Sequence, residues 1–451
     1  MNIVILGIGK IGRTLTEYLV HEEHDITIID SNAEIIDSVV DEYDVMGIVG
    51  NCVTLTVEKN NSIANADVVI ATTPSDEINM LCCLMAKKVG VKHTVARIRD
   101  PEYSRQLSFV LSSLGIDLIV NPELETAKEI SRMIRFPKAV KVDTFAQGRV
   151  DLTEIIIPEN SPIDGIKVMD ITKTLDVNLL VCAVQRGEEV YIPNGHFLLQ
   201  AGDRIHFTAP HKKINSFFKA IKAEAQKMKT VFIIGGGKTS YYLADKLSDY
   251  GYRVRIMERD EKRCLELSET LKDCEIIHGD GINTDVLEEE NFNSTDVSVS
   301  LTNIDEQNII ISLFAKEQGI PKIITKVNNE GLVPMLSGIG FETVISPKKV
   351  VPGMILSYIR GLSGTEGSSV KMLHKIVEDR VEALEFSVNE SSKFCGHALR
   401  ELKLKGNILI SCIIRKNEII IPHGNDEIHV GDNVIVVTTI ENLKSLDDIL
   451  A

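Results

Sequence analysis

The sequence predicts an α/β protein in which two doubly wound parallel-sheet domains are each followed by a small α+β lobe. Three observations predict it. Short, continuously apolar runs such as NIVILG, DITIID and DVVIAT alternate with helical stretches, the pattern of a parallel sheet covered on both faces. Glycines 7, 9 and 12 mark the first strand-to-helix turn. The whole pattern is also written twice.

In the first copy, NIVILG reads as a strand and GRTLTEYLVHE as an amphipathic helix. DITIID is the second strand, followed by a helix from Ala33 to about Tyr43. VMGIVG, DVVIAT and HTVARI are further strands, and MLCCLMAKKVG is a helix. Residues 121–136, NPELETAKEISRMIRF, form a helix with Ile130, Met133 and Ile134 on one side. That stripe needs a cover, either from this chain or from a neighbouring subunit. The lobe that follows is different. LTEIIIPENSPIDGIKVMDI, LLVCAVQRGEEVYIPNG and AGDRIHFTAP are β segments joined by turn signals such as RGEE and PNG, with one short helix.

The second copy is found by a constant offset. VILGIGK near Gly7 returns as FIIGGGK near Gly235, and 235 − 7 = 228. TIID ending at Asp30 returns as RIME ending at Glu258, again 228. TPSDEINM around Asp76 becomes TNIDEQNI around Asp305, ARI at Arg97 becomes TKV at Lys326, and AGD at Asp203 becomes VGD at Asp432, each displaced by 229. The expected order is an N-lobe over 1–136, a C-lobe over 137–222, a second N-lobe over 228–361 and a second C-lobe over 368–451. Residues 220–229 read as a polar helical connector. The stretch 346–361, SPKKVVPGMILSYIRG, reads as an amphipathic helix interrupted near its start by Pro352 and Gly353. GLSGTEGSS, 361–369, reads as a flexible joint.

Composition fits this division and narrows the function. At 451 residues the chain is too long for one core, and 44% hydrophobic with 25% charged residues is a folded composition. No apolar run approaches the ~18–20 residues that cross a bilayer. MNIVILGIGK lacks the basic start and small-residue cleavage site of a signal peptide. A cytoplasmic protein is expected, with any membrane role exerted through a partner. Lys+Arg 49 against Asp+Glu 65 leaves a formal charge of −16, which repels nucleic acid. The eight cysteines have no CxxC spacing and sit mostly in apolar surroundings, so they read as buried reduced thiols. The scattered histidines suggest no metal site.

Gly7-x-Gly9-x-x-Gly12 directly follows an apolar strand and opens a helix, the context that gives this motif meaning. The first glycine permits the tight turn, the second lets backbone amides approach a pyrophosphate, and the third lets helix and strand pack closely, as in a Rossmann-like domain. The helix N-terminus adds unpaired N–H groups and partial positive charge. Asp30, 18 residues after Gly12, ends the second strand, where a carboxylate takes ribose hydroxyls and repels a 2′-phosphate. Ligands of such sheets meet the C-terminal ends of the strands. Asn51 and Cys52 follow the third strand, Thr73 and Pro74 the fourth, and Arg97 lies at the fifth. Arg97 reads either as a phosphate ligand or as a salt-bridge partner of Asp76 or Glu77. Asp76 and Glu77 read either as helix-capping acids or as groups facing a ligand or a neighbouring subunit. In the second copy Gly235, Gly236 and Gly237 keep the turn, Ser240 replaces the third glycine, Glu258 keeps the acid and Lys326 keeps the positive charge. Ser240 predicts looser helix–strand packing there. His196 and His206 of the first C-lobe do not recur at matched positions, so no repeated acid–base pair accompanies the clefts.

ILGIGKIGRTLTEYL, DITIID, TTPSDEINM, ARIRDPEY and the doubled order resemble the peripheral subunit of Trk-type potassium uptake systems, the TrkA family, over essentially the whole chain. The resemblance implies paired RCK (KTN) N- and C-lobes. They would assemble as a homo-oligomeric ring on the cytoplasmic face of the cell membrane, against an integral-membrane potassium-translocating subunit (TrkH/TrkG-like). It implies NAD(H) and ATP or ADP as ligands and a regulatory, non-enzymatic role. By position its nucleotide contacts fall on Gly7, Ile8, Gly9, Lys10, Ile11, Asp30, Asn51, Thr73, Pro74 and Arg97 of the first copy. In the second they fall on Gly235, Gly236, Gly237, Lys238, Thr239, Glu258, Asp280 and Lys326. The competing readings are an NAD-dependent oxidoreductase and a regulator of another cation channel or antiporter.

Overall fold

The computed structural model describes residues 1–451 except 23, 58–60, 106–112, 137–138, 211–212, 222–227, 330, 342, 364–367, 391 and 417. Most of the expected connector 220–229 and the centre of the expected joint 361–369 lie outside the described residues.

The first copy opens with β1 (Asn2–Leu6), α1 (Lys10–Val20), β2 (Asp25–Asp30), α2 (Ala33–Glu42) and β3 (Met46–Val49). It continues through β4 (Val68–Ala71), α3 (Asp76–Lys88), β5 (His93–Arg97), β6 (Leu118–Val120) and α4 (Pro122–Arg135). Its six strands are ordered β3-β2-β1-β4-β5-β6, and every pairing is parallel. This is the doubly wound order, with the reversal between β1 and β4. The apolar runs predict it because the central strands are covered on both faces: all four residues of β4 and four of the five in β1 are buried. α1 buries Gly12, Leu15, Thr16 and Leu19, one face at three- and four-residue spacing. The side chain of Asn32 caps α2 by accepting from the amides of Glu34 and Ile35, and that of Ser75 caps α3 by accepting from Ile78.

The second N-lobe repeats this with β12 (Thr230–Ile234), α5 (Lys238–Asp249), β13 (Arg253–Glu258), α6 (Glu261–Thr270), β14 (Cys274–His278), β15 (Val297–Ser300), α7 (Asp305–Glu317), β16 (Lys322–Lys326) and β17 (Val344–Ile345). The order β14-β13-β12-β15-β16-β17 is the same.

The C-lobes are antiparallel. The first holds β7 (Lys141–Phe145), β8 (Val150–Ile156), β9 (Leu180–Arg186), β10 (Glu189–Tyr191) and β11 (Arg204–Pro210), in the order β10-β9-β11-β8-β7. The second holds β18 (Ser368–Ile376), β19 (Val381–Val388), β20 (Ile408–Arg415), β21 (Glu418–Ile420) and β22 (Asn433–Thr438), in the order β18-β19-β22-β20-β21. Read from the opposite edge, the two orders match. The chain thus carries two Rossmann-like parallel-sheet lobes, each followed by an antiparallel C-lobe.

Contacts gather the chain into two compact units, one from both N-lobes (Met1–Ser131 with Lys229–Leu356) and one from both C-lobes (Arg132–Met228 with Ser357–Ala451). In the C-lobe unit the copies share a core: Phe145, Leu152 and Cys182 pack with Ile376, Ala383 and Cys412. The stripe Ile130, Met133 and Ile134 on α4 is buried within the chain. One expectation is corrected. α8 (Pro347–Ser363) runs without a break through Pro352 and Gly353. A proline this close to a helix start gives up one amide bond, and the apolar Val351, Ile355, Leu356 and Ile359 bury enough surface to carry the helix through. The helix also takes in Gly361–Ser363, so the expected joint is helical at its start and enters β18 at Ser368. The eight cysteines are free thiols, six of them buried; burial pushes the Cys182 thiol up to about 11 and the Cys412 thiol up to about 12.

Among the described residues no helix is long and apolar enough to cross a membrane.

Candidate nucleotide sites

The first glycine turn is built as the motif requires. Gly7 adopts φ +87°, and a Cβ there would stand 2.8 Å from the backbone of Thr73. A Cβ on Gly12 would stand 2.2 Å from the Gly7 carbonyl oxygen. Both positions therefore exclude any side chain without a backbone shift. Gly9 and Lys10 are exposed at the start of α1, Ile11 is half-buried, and Ile8 packs inward.

Asp30 is aimed by this turn. Its Oδ2 accepts the Ile8 amide at 2.7 Å and its Oδ1 accepts the Asn32 amide at 2.9 Å. The carboxylate is half-buried and keeps further lone pairs for hydroxyl donors. The second copy reproduces the bond: Glu258 Oε2 accepts from the Gly236 amide at 2.6 Å and Oε1 from the Asp260 amide at 2.9 Å. Gly235 has φ +100°. Ser240 is fully buried, and its hydroxyl donates to the Gly235 carbonyl. Serine thus meets with a hydrogen bond the same carbonyl that Gly12 avoids by having no side chain. Thr239 is buried and Lys238 begins α5.

The other positions divide by task. Asn51 Oδ1 accepts from the amides of Val53 and Thr54, capping the short helix Cys52–Val57. The Cys52 thiol is buried against the Ile29 carbonyl, and burial pushes it up to about 11. Asp280, matched to Asn51, is exposed and accepts from the Ile282 amide. Thr73 is buried and Pro74 exposed; the Pro74 carbonyl accepts from Arg99.

Two asparagines outside the residues expected to contact nucleotide organise both clefts. Asn79 Oδ1 accepts from the Thr73 amide and hydroxyl, while its Nδ2 donates to the carbonyls of Thr73 and Arg97. Asn308 makes the same four bonds to Thr302 and Lys326. Each ties the ends of two neighbouring strands together. The signal that could have found them is the repeat, since 308 − 79 = 229. Asp76 and Asp305 also act alike, accepting amides of the loop after the fifth strand: Arg99 and Asp100 in one copy, Asn328 and Asn329 in the other.

Arg97 does not pair with Asp76 or Glu77; Arg99 takes Asp76 instead. Arg97 Nη2 stands 3.7 Å from Glu123 Oε1, too long for a hydrogen bond. Arg97 Nε and Glu123 Oε2 are buried without a hydrogen-bond partner. Burial draws the guanidinium below its ordinary value. Lys326 is 7% exposed, and burial likewise lowers it, against the favourable fields of Asp305 and Glu123. Lys10 of the first copy lies close enough to oppose its charge. An under-satisfied cationic group at the strand ends is chemistry that suits an anionic ligand. The second cleft encloses a cavity of about 310 Å³, lined by Gly235, Gly236, Gly237, Glu258 and Arg263 among others, within the size range of small-molecule sites.

Comparison with known proteins decides the family. The TrkA-N domain matches residues 3–122 and 231–347, and the TrkA-C domain matches residues 152–222 and 383–451. This chain belongs to the TrkA family. It is 30% identical over 439 residues to the Trk system potassium uptake protein TrkA of Halomonas elongata, covering 97% of this chain and 95% of that protein. It is 30% identical to the protein of the same name from Vibrio alginolyticus, covering 100% and 98%. Among solved structures, the GsuK RCK domain superposes with a TM-score of 0.63 at 18% identity, covering 99% of this chain and 94% of that one. The GsuK channel bound to NAD gives 0.64 at 18% identity, covering 99% and 78%. These likenesses show that the fold of this family member is that of tandem RCK lobes.

Proposed function

We propose that this chain is the cytosolic nucleotide-sensing subunit of a Trk-type potassium uptake system. It binds NAD(H), ATP or ADP in its N-lobes and controls potassium flux through an integral-membrane partner, as part of a homo-oligomeric ring. The observation that carries the reading is the repeated acid: Asp30 and Glu258 each end a second strand and are each held by an amide of their own glycine turn. Such a carboxylate is set to accept ribose hydroxyls before any ligand arrives. In the first cleft the Ile8 amide holds Asp30, the turn amides from Gly9 to Gly12 would hold the diphosphate, and Arg97 with its unpartnered Nε would balance its charge. In the second cleft the amides from Gly237 to Thr239 and the Lys326 ammonium take these roles, with the Gly236 amide holding Glu258. The names of the relatives support the potassium system, and the NAD-bound channel of like fold supports the ligand class. On this reading the nucleotide serves as a signal. A signal of this kind works only by binding two ring shapes unequally, and ordinary coupling of about 1–3 kcal/mol per site suffices to shift a gate.

Calorimetric titration of the full chain with NAD⁺, NADH, ATP and ADP tests this. Asp30→Ala and Glu258→Ala should each weaken one class of sites by roughly 10- to 100-fold, the range for hydrogen bonds to a charged group. Affinity left intact in both variants would remove the site assignment. Flux assays with the co-purified membrane subunit then test the regulatory role.

A further inference from the structure

The two clefts differ at one wall of the site. Five residues beyond the ribose-binding acid, the first copy has Ile35 and the second has Arg263. Arg263 lines the second cavity. Its Nε donates to the Gly236 carbonyl at 2.8 Å and its Nη1 reaches Glu266 Oε2 at 2.9 Å. Gly236 is also the residue whose amide holds Glu258. Arg263 is therefore fixed to the same turn as the acid, on the side of the cleft where α6 begins.

These bonds run in the guanidinium plane and occupy its edges. The side chain is about one-third exposed on the cavity wall, and a guanidinium face is a strong stacking partner for a conjugated ring. Ile35 has no such face. Charge alone does not explain the residue: Glu266 and the neighbouring Asp100 offset it, and Glu258, Asp260 and Asp280 share the cavity wall. A site built to attract another phosphate would not surround its arginine with carboxylates.

We propose that Arg263 is the base-reading residue of the second cleft, stacking on the ring of a purine nucleotide and giving this cleft a purine preference that the first does not share. The inference rests on the reading of the second cleft as a nucleotide site. It makes the two clefts of one chain chemically unequal sensors.

The test uses the full chain carrying Asp30→Ala, which weakens the first cleft, titrated with ADP and with UDP. Both carry the same diphosphate, so their affinity ratio isolates the base. Arg263→Leu should lower the ADP-over-UDP ratio by roughly 5- to 10-fold, the range of a guanidinium–ring contact. As a check that keeps Arg263 in place, Ile35→Arg in a Glu258→Ala chain should raise the ratio at the first cleft by a similar factor. Equal weakening of ADP and UDP by Arg263→Leu, or ratios unchanged in both chains, would overturn the proposal. Binding to the wild type but none to the Asp30→Ala chain would overturn it as well, while leaving the first cleft as the sensor. No binding of either nucleotide to the wild type would instead defeat the nucleotide reading itself.

Discussion

The hydroxyl of Tyr242 donates to the main-chain carbonyl of Arg99 at 2.9 Å, linking the second copy's glycine-turn helix to the first copy's fifth-strand loop. The same hydroxyl accepts from Asn121 Nδ2 at 3.0 Å, and Tyr242 is 7% exposed. One turn earlier on the helix, Lys238 Nζ stands 3.0 Å from Asp100 Oδ2. The two N-lobes are thus joined by polar contacts that begin in one nucleotide cleft and end beside the cationic group of the other. Tyr242→Phe removes the shared hydroxyl from a buried site and should destabilise the N-lobe unit by about 1–3 kcal/mol, the penalty for desolvated groups that lose a partner. Lys238→Ala, which breaks a pair about one-third exposed on each side, should change stability by less than about 1 kcal/mol. Thermal and urea unfolding of the two variants would show the order; equal effects would contradict it.

The glycine at position 12 and the serine at position 240 solve one steric problem in two ways. Elsewhere in a helix, alanine is worth up to about 1 kcal/mol over glycine. At position 12 the added Cβ meets the Gly7 carbonyl oxygen at 2.2 Å. Gly12→Ala should therefore destabilise by roughly 1–3 kcal/mol and weaken the first nucleotide site, because overpacking outweighs propensity. Ser240→Gly should cost about 1–2 kcal/mol from the lost hydroxyl bond and the freer backbone. A Gly12→Ala chain as stable as wild type, with full nucleotide affinity, would mean that the first turn relaxes more easily than its contacts imply.

Much of the architecture is legible in the sequence because it rests on local signals. Continuous apolar strands, a glycine turn and an acid at a fixed distance each report a short-range requirement, and the repeat doubles each signal. Ser240 reads as a loss when set against Gly12, although its hydroxyl restores a bond, because one-dimensional comparison sees volume and not geometry. Tyr242 is not legible at all. Its matched residue is Thr14, whose hydroxyl bonds to its own helix at Lys10, so the repeat does not mark the contact and the folded chain brings Arg99 to Tyr242. Pro352 misleads for a related reason, since the burial of Val351, Ile355, Leu356 and Ile359 that carries α8 through it exists only in the folded chain.

In the C-lobe unit, Arg360 and Glu382 form a two-pronged ion pair with side chains 1% and 2% exposed. Nη1 reaches Oε2 at 2.8 Å and Nη2 reaches Oε1 at 2.9 Å, and Asn442 Oδ1 adds a third acceptor at 3.2 Å. Removing one partner strands a buried charge, so Glu382→Leu or Arg360→Leu should cost about 3–5 kcal/mol. The double substitution should cost much less than the sum, since apolar replacement of a buried pair is often near neutral. A double-mutant cycle measured by urea unfolding reports this directly. Additive single effects would show that the two side chains do not stabilise one another.

The same unit should weaken in mild acid. His206 on β11 is 2% exposed and its Nε2 has no hydrogen-bond partner. It faces Glu154 across the β8 pairing, with Arg204, Lys141 and Asp143 near by. His374 on β18 is half-buried, 3.5 Å from Asp143 and 3.2 Å from the Thr144 carbonyl. Burial pulls both imidazoles below their ordinary value, more strongly than the carboxylates raise them. Above about pH 6.5 folded and unfolded chains both hold these rings neutral, and they add no pH dependence. As pH falls below that, the unfolded chain takes up protons first and gains stability relative to the fold. The loss then continues until the folded pKa is reached, at about 1.4 kcal/mol for each unit of depression per histidine. Asp143 contributes in the opposite range: its carboxyl is lowered, and its share disappears only as pH falls below the ordinary Asp value near 4. Urea unfolding between pH 7.5 and 5 should therefore show stability falling below pH 6.5, with a shallower fall in His206→Leu. A wild-type profile that stays flat to pH 5 would mean that the folded chain protonates these rings as readily as the unfolded one does.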